Sequence, residues 1–109
     1  MKLNGKWLNA SQNLMPFNFH LGIGQIYDSI GNITGFIQNY FTVTLPQSAI
    51  TITAGQTTSI GIVMNIERWF EEPNIYDHND WGGDIMQKQE AMRLGCENGE
   101  NVFDVLINN

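Results

Sequence analysis

Cysteine is nearly missing from this chain. The one thiol, Cys96, excludes an internal disulfide and a cysteine metal cluster. Basic residues are few: five Lys and Arg against eleven acids leave a net charge of −6. A polyanion is repelled on average, so nucleic acid is not an expected partner. No run approaches the ~18 apolar residues of a membrane span, and none is expected. Met1-Lys2-Leu3-Asn4 runs into Gly5 with no apolar signal core and no small-residue cleavage site. The chain as it stands is therefore expected to be cytoplasmic or a piece of something longer. Also missing are a complete Gly-rich phosphate loop, a G-x-S-x-G elbow and an H-E-x-x-H pair. Scattered carboxylates define no catalytic pair, and the chain is not expected to be an enzyme.

What is present is a chain able to fold. Of 109 residues, 42% are hydrophobic and 15% charged, unlike a disordered segment. Thirteen Asn and seven Gln make its polarity mostly amide. Residues 1–109 are one domain's worth, and a compact chain of that length has a radius of gyration of about 13 Å. Such a domain hides only ~65% of its unfolded surface, so any missing part of the core matters.

The pattern is mostly β. Asn4-Gly5 is a hairpin signal, with Lys6-Trp7-Leu8 leaving it. The N-terminus is either irregular or begins inside a hairpin whose upstream strand is missing. Met15, Phe17, Phe19 and Leu21 alternate with Pro16, Asn18 and His20, which predicts a half-buried strand. Glycines 24, 31 and 35 interrupt the Ile spacing of 23–37, which reads as a long loop with one helical turn near Thr34–Gln38. Alternation predicts strands at 41–45, 50–53 and 58–66. Ile66, Trp69 and Phe70 predict one helical turn. A C-terminal helix is expected after Asp84, with Gln87 as its capping-box partner and Gly95 as its stop, before a last strand at 102–107. Together these predict a partial antiparallel β-sandwich with a short helical turn and one C-terminal helix.

Two histidines are candidate metal ligands. His20 sits on the polar side of an apolar strand, where a hydrogen-bonded surface role is the ordinary one. His78 lies in a loop with Asp77, Asp80 and Asp84. Oxygen ligands there suit a hard cation, but Trp81 and Lys88 stand where a calcium loop needs acids. The alternative role of these carboxylates is helix capping. Met86 and Met92 are soft thioether donors at spacing that usually means core packing. Cys96, after a helix end, reads as a small buried hydrophobe. Trp81 and Tyr76 are the candidate exposed aromatics of a non-metal binding module.

Several segments together resemble one family. Asn18-Phe19-His20-Leu21-Gly22 is similar to a strand end of the MbnP-like proteins, the methanobactin-associated copper-binding family. Asn65-Ile66-Glu67-Arg68-Trp69-Phe70 resembles the helical turn of that family. Its C-terminal tail is matched by the segment from Trp81 to Gln89 and by Asn98-Gly99-Glu100-Asn101-Val102-Phe103. Lys2-Leu3-Asn4-Gly5-Lys6-Trp7 is similar to an internal strand, so the resemblance covers the C-terminal half of the family domain. It implies a non-catalytic bacterial cell-envelope β-sandwich, periplasmic or at the cell surface, with copper as its cofactor and His20 at a copper position. The upstream half, or self-association through open sheet edges, is the partner this implies. The alternative is a non-metal binding or structural module of a bacterial surface protein.

Overall fold

The computed structural model describes residues 1–108. Among the described residues six strands, two short 3-10 turns and two helices follow one another. The strands are β1 (Lys2–Leu8), β2 (Leu14–His20), β3 (Ile23–Tyr27), β4 (Ile33–Gln38), β5 (Ser59–Met64) and β6 (Phe103–Asn108). They pair antiparallel as three separate two-stranded sheets, β1-β2, β3-β4 and β5-β6. The mostly-β class, the helical turn at Ile66–Phe70 and a single longer C-terminal helix are as expected.

Three local expectations are corrected. Asn4-Gly5 is not a turn: both residues lie within β1, opposite Asn18 and Phe17. The chain reverses at 9–13 instead, where Asn9 Oδ1 accepts the N–H groups of Ser11 and Asn13. Gly5 is present for room, since a Cβ there would lie 2.6 Å from the Phe17 ring. The segment 23–37 is not a loop but the β3-β4 hairpin, tightened by Asp28. The Asp28 carboxylate accepts from the N–H groups of Ile30 and Asn32 at 3.0 and 2.8 Å, an Asx-type turn that spacing of Ile could not signal. Residues 41–45 and 50–53 form no ladder. Phe41 instead packs its ring edge-on against Trp69 at 5.5 Å.

The C-terminal helix starts later and ends later than its capping pattern predicts. α2 spans Gln89–Gly99. Asp84 makes an Asx turn, accepting from Met86 N–H at 3.0 Å, and Gln87 sits outside the helix. Gly95 does not stop it. Gly95 and Gly99 lie one turn apart on the same side, and a Cβ at Gly95 would lie 2.7 Å from Phe19 and 2.8 Å from Leu21. A Cβ at Gly99 would lie 2.6 Å from Phe41 and 2.8 Å from Trp69. Both glycines let the aromatic core press against the helix backbone, and that packing outweighs their poor helix propensity.

The core is small. Phe19, Leu21, Trp69, Tyr76, Ile85, Met92 and Val102 are buried where β2, the 66–70 turn and α2 meet. Asn98 is fully buried in the last turn of α2. Its amide donates to the carbonyls of Trp69 and Asn74 and its Oδ1 accepts the Asn74 N–H. The ribbons project from this centre. The radius of gyration is 18.1 Å and the extents are 62 × 39 × 20 Å. This is larger than the ~13 Å expected of a compact chain of this length.

Candidate functional site

His20 closes β2, opposite Lys2 of β1. Strand alternation sends Phe17 and Phe19 into the core and leaves His20 on the other side. Its imidazole turns over Gly22, with Nε2 only 3.2 Å from where a Cβ of that residue would stand. Glycine thus gives the ring its place. Beyond it lies a cavity of about 270 Å³. His20, Met86 and Met92 line that cavity, with Gln25, Gln87 and the start of β3. The two methionines are unlike each other. Met92 is part of the core, whereas Met86 is 58% exposed on the loop before α2.

Amides lie on and beside this cavity. Asn39 and Gln89 exchange two hydrogen bonds, at 3.0 and 2.7 Å. Asn39 Nδ2 also approaches the Met92 sulfur at 3.4 Å. At the rim Gln87 Nε2 donates to the Tyr27 hydroxyl, which donates to Gln25 Oε1. Gln87 adopts a positive φ of 73°, the left-handed region that side chains other than glycine seldom enter. Sequence patterning singled out His20, Met86 and Met92 separately. It missed Gln25, Asn39 and Gln89, because an amide in an amide-rich chain carries no local mark, and it read Gln87 only as a helix cap.

His78 stands elsewhere. It begins the short helix α1 (His78–Trp81), which Asp77 caps by accepting from the Asn79 N–H at 2.8 Å. Rather than joining the acids of its loop, the ring enters an aromatic box. Trp7 stacks on it at 5.2 Å, and Phe17, Phe70 and Tyr76 lie at 4.6, 4.9 and 5.2 Å. His78 Nε2 is buried with no hydrogen-bond partner among the described residues. Burial holds the imidazole pKa below its ordinary value, and the Asp77 carboxylate only partly offsets this. No local signal could show the box, three of whose walls come from β1, β2 and the 66–70 turn, with Tyr76 as the fourth. The capping role of the loop carboxylates is seen at Asp77, on α1 rather than α2.

The donor sets differ accordingly. One imidazole and two thioethers around a cavity suit a soft monovalent metal such as Cu(I). His78 has four aromatic rings about it, an apolar setting unlike that of His20. Among the described residues no group of three or more His, Cys, Asp and Glu side chains comes together. Cys96 lies within α2, half-buried, its thiol pKa pushed up mainly by burial. The exposed platform expected at Trp81 and Tyr76 is not formed: Tyr76 is only 4% exposed and Trp81 packs half-buried against the core. Among the described residues no helix is long and apolar enough to cross a membrane.

Comparison with protein-family models, with curated proteins and with solved structures gave no match.

Proposed function

We propose that this chain is a non-catalytic cell-envelope module, part of a β-sandwich of the MbnP-like kind, that takes a soft copper ion through His20. What carries the reading is the single cavity onto which His20, Met86 and Met92 all open. A neutral imidazole with thioether sulfurs is a donor set that favours Cu(I) over harder cations. The bound ion would supply a redox-active or transportable charge. The residues of the chain bind and orient it. Gly22 leaves space for the imidazole, and Asn39 steadies the buried sulfur of Met92. His78, in its aromatic box, takes no part.

The test is a Cu(I) competition titration against a chromogenic chelator, on the chain and on His20→Ala and Met86→Leu. Loss of affinity by at least about tenfold, on the order of 1.4 kcal/mol, is expected for His20→Ala. A smaller loss is expected for Met86→Leu, which keeps the volume without the sulfur. Equal affinity of all three proteins would remove the cavity from the function and leave a structural module without metal.

A further inference from the structure

The five methionines of the chain differ widely in exposure. Met86 is the most exposed of them at 58%, and Met92 the least at 2%. These two extremes line one cavity, together with His20. Met92 is shielded: it lies in the core, and Asn39 Nδ2 meets its sulfur at 3.4 Å. Met86 stands on the loop between α1 and α2, where its N–H donates to the Asp84 carboxylate. Its side chain borders both solvent and the cavity. Met1, Met15 and Met64 are also exposed, but none of them is among the residues lining that cavity.

A thioether has no proton to lose, so its attack on peroxide needs only access. The sulfur lone pair takes one peroxide oxygen: the O–O bond breaks, an S–O bond forms and water leaves. Sulfur loses two electrons and the peroxide gains them. Access directs this reaction to Met86 and away from Met92. The thiol of Cys96, half-buried and with its pKa pushed up mainly by burial, holds little reactive thiolate. The consequences at the two sulfurs also differ. A sulfoxide at Met92 would put a polar group in the core, whereas at Met86 it is solvated and costs the fold little. At the cavity it replaces a soft sulfur donor with a hard oxygen, which Cu(I) does not favour. We propose that Met86 is a modification site, at which hydrogen peroxide converts the thioether to the sulfoxide and weakens the hold of the cavity on a soft metal. This switch rests on the copper reading above and adds its regulation. It is reversible: a sulfoxide reductase with two thiols returns the thioether, the oxygen leaving as water and the thiols as a disulfide.

The test is hydrogen peroxide treatment of the full chain at about pH 5.5, where thiolate is scarce. Peptide mass mapping follows, and then Cu(I) titration at neutral pH. Met86 is expected to gain one oxygen at least about tenfold faster than Met92. At full conversion of Met86 the Cu(I) affinity is expected to fall about threefold or more, to the level of Met86→Leu, with the urea midpoint unchanged. Peroxide is expected to leave the affinity of Met86→Leu as it was, which sets aside Met1, Met15 and Met64. Reductase treatment of the oxidised wild type is expected to restore its affinity. Oxidation of Met92 as fast as Met86, an affinity that Met86 sulfoxide leaves intact, or a loss that Met86→Leu shares would overturn the switch while the copper reading stands. An untreated chain with no Cu(I) affinity would instead overturn that reading, and the switch with it.

Discussion

At the scale of single residues, the most informative side chain is His78. Its ring is neutral by preference, because the aromatic box excludes water from Nε2. The unfolded chain therefore takes up a proton at this site at a higher pH than the folded chain does. Stability from this group is complete above the unfolded value and is lost as pH falls. Between about pH 7.5 and 5.5 the urea midpoint of the wild type is expected to fall, and His78→Phe, which keeps a ring in the box, is expected to flatten that slope. The lowered carboxyl of Asp77 acts in a separate window at more acidic pH. Gly95 is a second residue whose role is steric. Alanine there gains up to about 1 kcal/mol of helix propensity. It also drives a methyl into Phe19 and Leu21, both almost fully buried, and overpacking of that kind costs about 1–3 kcal/mol. The clash wins, so Gly95→Ala is expected to lower the urea midpoint, whereas the same change at an exposed helix site would raise it.

At the scale of elements, α2 is the part that joins the others. Asn98 fastens it to the 66–70 turn and to the segment after it through the carbonyls of Trp69 and Asn74 and the Asn74 N–H. Asn98→Ala would leave those buried groups without partners, at a cost of about 2–4 kcal/mol. The check is chemical denaturation, with hydrogen exchange rising first in the 66–74 segment. Strands whose side chains alternate were legible from the chain alone: the strand patterns at 15–21, 58–66 and 102–107 predict β2, β5 and β6 to within a few residues. Elements decided by a turn or a neighbour were not. Asp28 converts an apparent Gly-rich loop into the β3-β4 hairpin, and Phe17 keeps Asn4-Gly5 inside a strand. Phe41 and Thr42 alternate as a strand would, but the Phe41 ring is engaged by Trp69 and no ladder forms.

At the scale of the whole molecule, the ribbons reach well beyond the core they share. Composition and periodicity by themselves determined the mostly-β character and the single helical turn around Trp69, because each depends on residues adjacent in sequence and on a period of two or 3.6. Only the tertiary structure decided that Met86 and Met92 share a cavity with His20, that His78 belongs to an aromatic box, and that Asn98 is a buried clamp. Those arrangements bring together segments separated by tens of residues, and the contacts between them are set by how the ribbons and α2 pack, which no local pattern encodes.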